Sequence, residues 1–251
     1  MPILFLVRHG ATQSAKENRF AGWADTHLTK SGQQEALLAA QSLKKAGHVF
    51  DVCYTSQLKR AKQTALIMAN TLGLSEDAIT YDWRLNERHY GGLQDELRGE
   101  MIEKHGNVQV VAWRRDYHAV PPKLDENDPR WIEQLDRLPD IPVDLQPQSE
   151  SMAQAAKRVE PFWNNEIAEA LRANKRVLIV AHTSSIRGLA RCIEGLNDEQ
   201  CGAYRVSTAV PQYYKLDDDL SVIENKHLTS GLSSKIRYWL NCTKPRWLGR
   251  V

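Results

Sequence analysis

The chain has 251 residues, 42% of them hydrophobic and 25% charged, with a formal net charge of +2 and a pI near 8.3. This balance suits one large α/β domain with an ample core and excludes global disorder, while so mild a basicity does not imply a nucleic-acid partner. No apolar run approaches the ~20 residues of a membrane span, the opening Met-Pro-Ile-Leu lacks a basic leader region, and a soluble, cytoplasmic protein is expected.

Ile3 to Val7 is an unbroken apolar run, read as a strand buried on both faces, and it stops at Arg8-His9-Gly10. Ligands of open α/β sheets bind at such carboxyl ends. There His9 can act as a nucleophile, Arg8 as an anion clamp and Gly10 as a point of close backbone approach. Residues 12–25 read as a loop with aromatic anchors at Phe20 and Trp23. Thr29 to Gly32 opens a helix to about Lys45, with Ala36, Leu37, Ala40 and Leu43 on one side. Val49 to Tyr54 is a second strand, and Ser56 caps a following helix to about Leu72. Arg60 falls in that helix's first turn. A cation there opposes the macrodipole, which points to a bound anion.

Ile79 to Asp82 is a third strand. Trp83 to Gly92 has no period, is dense in proton donors and acceptors, and ends in two glycines, the composition of a site loop. Asp95 to His105 reads as helix. Residues 108–151 are the least regular, broken by Pro121-Pro122, Pro129, Pro139, Pro142 and Pro147. They read as a lid over the strand ends that carries Arg114-Arg115 beside aromatics. A long helix then runs from Ser149–Met152 to about Ala173, with Ala155, Val159, Phe162, Ile167 and Leu171 inward. Arg176 to Ala181 repeats the opening pattern: an apolar strand, His182 at its end, then Thr183-Ser184-Ser185 and a helix over Ile186–Glu194. Tyr204–Leu216 and Leu220–Asn225 read as closing strands. Residues 226–251 form a basic, aromatic tail beyond an α/β domain of 1–225 whose insertion spans about 95–150.

Two histidines at two strand ends, with Arg8 and Arg60 at the same edge, suit metal-free phosphoryl transfer. One imidazole attacks phosphorus, the arginines match the phosphoryl oxygens bidentately, and the second imidazole adds a donor. A carboxyl group must protonate the leaving oxygen, and Glu87 is the best placed. The histidines lack close zinc-ligand spacing, and Ser184 lacks a G-x-S-x-G elbow. Cys53, Cys192, Cys201 and Cys242 have no metal-binding spacing.

The chain resembles the histidine phosphatase superfamily, and within it the 2,3-bisphosphoglycerate-dependent phosphoglycerate mutases, from about Pro2 to Asn225. The resemblance lies in Leu-Val-Arg-His-Gly (6–10), Asn-Arg-Phe-Ala-Gly-Trp (18–23), Tyr-Thr-Ser-Gln-Leu-Lys-Arg-Ala (54–61) and Trp-Arg-Leu-Asn-Glu-Arg-His-Tyr-Gly-Gly-Leu-Gln (83–94). It continues in Trp-Arg-Arg (113–115), Leu-Asp-Glu-Asn-Asp-Pro-Arg (124–130) and Val-Leu-Ile-Val-Ala-His (177–182). It implies a doubly wound, mostly parallel α/β fold with His9 as phosphorylated nucleophile. Arg8, Arg60 and His182 would surround the phosphoryl group, with Glu87 as proton donor and acceptor. It further implies Thr12, Gly22, Tyr90, Arg98, Arg114, Arg115 and Thr183 as substrate-binding residues. The expected reaction interconverts 2- and 3-phosphoglycerate, primed by 2,3-bisphosphoglycerate, without metal, in a homo-oligomer, a dimer.

The chain departs from the mutase pattern at Ala11, Ala15, Ala21, Thr183 and Ser184, where phosphate donors or a glycine are usual, and near Ala209, where glycine is usual. Each lost donor to a phosphoryl group costs about 1.5–3 kcal/mol. Mutase activity is therefore the first expectation. A phosphatase acting on a small phosphorylated substrate is the alternative, and a weakly active anion-binding relative the third.

Overall fold

The computed structural model describes residues 1–228; the expected tail lies outside them from residue 229. One sheet is built from β1 (Ile3–Arg8), β2 (Val52–Thr55), β3 (Ile79–Tyr81), β4 (Arg176–Ala181), β5 (Gln212–Leu216) and β6 (Val222–His227). Its order is β3-β2-β4-β1-β5-β6. β3, β2, β4 and β1 are parallel neighbours, and β5 and β6 close the sheet antiparallel. The two most apolar runs lie side by side at the centre, where both faces are covered. Their register pairs Ile3 with Arg176 through Arg8 with Ala181. His9 and His182, the next residue on each strand, are neighbours for that reason.

Alternation along each strand divides the core. Leu4, Leu6, Val177 and Ile179 pack on one face with Val159, Phe162, Ile186 and Leu189. Phe5, Val7, Leu178 and Val180 pack on the other with Ala39, Leu43, Ala65 and Met68. Burying each large aliphatic side chain contributes about 1.5–3 kcal/mol. The short helix α1 (Gln13–Lys16) follows β1, and α2 (Lys30–Lys45) is capped by Thr29, whose side chain accepts from the Gly32 amide. With α3 (Lys59–Leu72) it covers the second face.

The insertion is more helical than its prolines suggest: α4 (Arg98–His105), α5 (Asn107–Arg115) and α6 (Pro129–Arg137) all lie within it. Pro129 opens α6 rather than breaking a helix. It occupies the first helical position, where no N–H is required, and Asp128 accepts from the Arg130 amide. The helix expected from Asp95 starts only at Arg98, because Asp95 adopts a left-handed φ of 66° and its amide donates to the Phe20 carbonyl. Phe20, Leu93, Met101, Val110 and Trp113 form a small separate core that seats α4 and α5 on the loop after β1.

The long helix is α7 (Met152–Phe162), continued by a π turn over Trp163–Ile167 into α8 (Ala168–Arg172). Pro161 lies inside α7, just before that turn, and lacks the N–H an interior position needs. α7 packs with α9 (Thr183–Glu194), which starts at Thr183 rather than Ile186. A further helix, α10 (Asp198–Ala203), precedes irregular chain, and β5 begins at Gln212 rather than Tyr204. Ala209 holds a left-handed φ of 52°, a conformation that costs a non-glycine residue about 1–2 kcal/mol. Among the described residues no helix is long and apolar enough to cross a membrane.

Candidate active site

At the carboxyl ends of β1 and β4 the rings of His9 and His182 lie 4.9 Å apart, centroid to centroid. The Nδ1 of His9 is 2.8 Å from the Gly10 carbonyl oxygen. A carbonyl only accepts, so Nδ1 carries the proton and Nε2 keeps its lone pair. Burial, then the charges of Arg60 and Arg8, push the His9 pKa well below the usual imidazole value. The ring is therefore neutral at physiological pH, the form a nucleophile requires. Gly10 closes the turn against α2; a Cβ there would collide with the Gly32 carbonyl.

Arg60 enters from the first turn of α3 and is fully buried. Two of its nitrogens donate to the loop after β1: Nη1 to the Ala24 carbonyl at 2.8 Å and Nη2 to that of Gly22 at 2.7 Å. Its Nε is buried without a protein partner. Burial lowers its pKa to about 10, against the pull of Glu87. Ser56 does not cap α3 as expected. The N-cap is Leu58, without a side-chain bond, and the Ser56 hydroxyl lies 2.6 Å from Nε2 of His182.

Glu87 meets the chain just after His182. Its Oε1 accepts from the amides of Arg88 at 2.8 Å and Ser184 at 3.0 Å, and its Oε2 from the amide of Thr183 at 3.2 Å. Two of these donors are the first N–H groups of α9, which have no partner within the helix. Burial acts to raise the Glu87 pKa, but the bonds from Ser184 and the Arg88 amide, with the charges of Arg60 and Arg8, hold it below the usual carboxylate value. The backbone of Glu87 is fixed as well: its carbonyl accepts from Trp23 Nε1 and Arg158 Nη2. Arg158 also reaches the carbonyls of Trp83, Arg84 and Asn86 and pairs with Glu150 at 2.7 Å. The loop is thus salt-linked and site-forming at once.

These groups open on a cavity of about 850 Å³. Of the residues expected to bind substrate, Thr12, Gly22, Tyr90, Arg98, Arg114, Arg115 and Thr183 all line it, as do Arg8, His9, Arg60 and Glu87. His182 is fully buried just behind this wall, its ring beside that of His9, which lines it. Ala15 and Ala21 lie on the wall as small apolar surfaces. Glu87 is the one carboxylate among the described lining residues, facing many guanidinium groups. An anionic ligand is what such a wall attracts.

The sequence reading missed Arg88, Arg187, Arg205 and Ser56. Arg88 is fully buried; its Nη2 donates to the Tyr90 hydroxyl at 2.9 Å, while Nε and Nη1 have no protein partner. Its place beside Glu87 in the dense loop was the available signal. Arg187 lies one turn into α9 and donates from Nε to the Tyr204 carbonyl; only the start of α9 at Thr183 puts it on the cavity wall.

The model of the histidine phosphatase superfamily (branch 1) matches residues 4–138 and 121–225. Among solved structures, a mycobacterial glucosyl-3-phosphoglycerate phosphatase is 22% identical over 91% of this chain and 98% of its own, with a TM-score of 0.68. The alpha-ribazole phosphatase from Shigella flexneri is also 22% identical, over 88% and 94%, with a TM-score of 0.68. A phosphoserine phosphatase from Entamoeba histolytica is 18% identical over 93% and 100%, with a TM-score of 0.63. At these identities the likeness is one of fold.

Proposed function

The chain belongs to the histidine phosphatase superfamily, branch 1, and from that membership we propose that it is a phosphatase acting on a small phosphorylated substrate with a second anionic group. The strongest support is the pairing of a neutral His9, its Nε2 lone pair free, with the Glu87 carboxylate across an arginine-lined cavity. The structural neighbours described above are phosphatases by name, which favours hydrolysis over the isomerisation expected first.

In the first step Nε2 of His9 attacks phosphorus, and the bond to the ester oxygen breaks. Arg8, Arg60 and His182 bind the three equatorial oxygens as charge develops. Glu87 donates the proton that the leaving alcohol needs. A bound phosphoryl dianion offsets Arg8 and Arg60, two of the influences that hold Glu87 ionised, and so drives a proton onto it. In the second step Glu87, now a carboxylate, takes a proton from water. The water oxygen bonds to phosphorus, the His9–phosphorus bond breaks, and inorganic phosphate leaves. Residues of this chain supply every group in the scheme, and it calls for no metal.

Arg88, Tyr90, Arg98 and Arg114 support the second anionic group. Buried guanidinium nitrogens of Arg88 and Arg98 have no protein partner, and an unpaired buried charge is costly unless a ligand satisfies it. The same wall is the observation that favours a second reading. If it holds a phosphoglycerate whose free hydroxyl reaches phosphohistidine before water does, the first product is the bisphosphate; transfer of its other phosphoryl group back to His9 then leaves the isomer, and the enzyme is a bisphosphate-primed phosphoglycerate mutase.

One assay separates the readings. The protein is given 3-phosphoglycerate and a panel of phosphate monoesters, with and without 2,3-bisphosphoglycerate, while free phosphate and isomer are both followed. Phosphate release through an acid-labile label on His9 is expected. Isomerisation that depends on the bisphosphate overturns hydrolysis in favour of the mutase. No turnover and no label overturns both and leaves an anion-binding relative.

A further inference from the structure

We propose that Ser56 is a positioning residue for His182: its hydroxyl donates to Nε2 and thereby holds the imidazole as the Nδ1–H tautomer, so that Nδ1–H is the donor offered to the transferring phosphoryl group. The proposal rests on the phosphoryl-transfer reading of the site.

Ser56 lies in the short connection between β2 and α3 and is fully buried. Its Oγ is 2.6 Å from His182 Nε2 and 3.2 Å from the Leu58 amide nitrogen. The amide can only donate, so one lone pair of Oγ is taken. The serine hydrogen still needs an acceptor, and the described contacts place only Nε2 within reach. If Nε2 instead carried the proton, it would point its hydrogen at Oγ, and the serine hydrogen would be left in a dry interior. Such an orphaned donor is costly. The arrangement that satisfies both groups has O–H donating to Nε2. Neutral imidazole has one ring proton, so it resides on Nδ1.

Nδ1 of His182 is buried and has no protein partner. With a bare lone pair it would repel phosphoryl oxygens; with a proton it is a donor waiting for one. Burial, Arg60, the neighbouring His9 and Arg8 all disfavour the imidazolium. His182 therefore cannot serve as donor simply by protonating at both nitrogens, and its tautomer matters. His182 also opens α9 in a capping box with Ser185: its amide donates to Ser185 Oγ at 3.1 Å, and that hydroxyl returns to the His182 carbonyl, while no hydrogen bond from the Ser185 amide reaches Nδ1. They set where the ring stands and leave its tautomer to Ser56. His9 is fixed in the same sense by a different device, the Gly10 carbonyl on Nδ1. One histidine thus presents a lone pair and the other a proton, each fixed by an oxygen behind the ring.

The test reads the tautomer directly. Full-length protein labelled with 15N in its histidine rings is examined by long-range proton–nitrogen correlation, with no substrate present. The His182 signals are identified by their loss in His182→Gln. In the wild type, Nδ1 should give a protonated-type shift and Nε2 an unprotonated one. In Ser56→Ala, Nε2 should gain protonated character, and Ser56→Thr, which keeps the hydroxyl, should restore the wild-type pattern. With a hydrolysed monoester, Ser56→Ala should lower kcat by about 10- to 100-fold, the order seen when one donor to developing charge is lost or misdirected, with KM changed less than about twofold. An Nε2–H tautomer in the wild type, or a Ser56→Ala spectrum identical to it, overturns the proposal. If Ser56→Thr does not fold, Ser56→Ala and the wild type still decide it. If no ester is turned over, the phosphatase reading fails, while the spectra separately settle what Ser56 does to His182.

Discussion

Replacing Glu87 with glutamine changes one charge and almost no volume. The carboxylate accepts three backbone N–H bonds, two on Oε1 and one on Oε2. The amide can keep Oε1 facing Arg88 and Ser184, but its NH2 must then face the Thr183 amide, donor against donor. The loss is one hydrogen bond to a charged group, about 1.5–3 kcal/mol of stability. The catalytic effect is larger and depends on the leaving group. An alkyl ester needs a proton on its departing oxygen, whereas p-nitrophenolate leaves without one. For Glu87→Gln, kcat/KM on a glycerol phosphate should fall by about 10²–10⁴, and on p-nitrophenyl phosphate by less than about tenfold. kcat/KM reports the first irreversible step, so slow loss of phosphate from His9 does not obscure the contrast. That later step needs Glu87 as base, so acid-labile phosphoenzyme should accumulate in the variant with the aryl ester. Inorganic phosphate should also bind more tightly, because the carboxylate's negative charge is gone from the wall. Equal losses on both esters, with no accumulating phosphoenzyme, would refute the role of Glu87 as proton donor.

Stability should fall on the acid side in part through His89, which is buried against Gln134 and Trp23 and whose pKa burial lowers to about 4 from 6.5. The unfolded chain binds the proton more tightly, so this contribution is complete above about pH 6.5 and is lost toward pH 4, at about 1.4 kcal/mol per pH unit; denaturant unfolding across that range in the wild type and His89→Gln measures it, and identical slopes contradict it. Arg88→Met should weaken binding of substrates with a second anionic group by about 10- to 100-fold, one charged hydrogen bond, while KM for p-nitrophenyl phosphate stays nearly unchanged; a uniform loss on both would place Arg88 on the transferring phosphoryl group instead. Gly91 has a φ of 56°, and an added Cβ would meet the Pro122 carbonyl oxygen, so Gly91→Ala should cost at least about 1–3 kcal/mol and disturb Tyr90, read as lower stability together with weaker substrate binding.

The sheet centre was legible because two apolar runs without polar breaks have only one place to go. Once Ile3–Arg8 and Arg176–Ala181 are parallel neighbours, the adjacency of His9 and His182 follows from register alone. The insertion was less legible because proline has two meanings. At Pro129 it begins a helix and at Pro161 it sits inside one, and which applies depends on caps and tertiary packing rather than on the residue. Ser56 was misread for a related reason: a serine before a helix usually caps it, and only the fold shows that its hydroxyl meets a histidine ring 126 residues away. Arg88 carries no periodic signal, and its burial appears only once the Glu150–Arg158 pair has locked the loop.

Thr183 and Ser184 show why departures from a familiar motif need to be weighed atom by atom. As side chains they replace residues that the mutase pattern uses near phosphate. As backbone they supply two N–H groups to Glu87, which any non-proline residue at the start of α9 provides. Those substitutions therefore leave the proton-transfer geometry intact. Ala15 and Ala21 differ, because a methyl group has no hydrogen bond to give, and both face the cavity. The losses thus fall on the cavity wall, not on His9, Arg60, His182 or Glu87, the groups proposed to carry out the transfer. A site that keeps the machinery of phosphoryl transfer but holds the departing alcohol less firmly gives water the first claim on phosphohistidine. Partition toward hydrolysis then needs no new catalytic residue, only faster release of the first product from a cavity of about 850 Å³, near the upper end of the 300–1,000 Å³ typical of small-molecule sites.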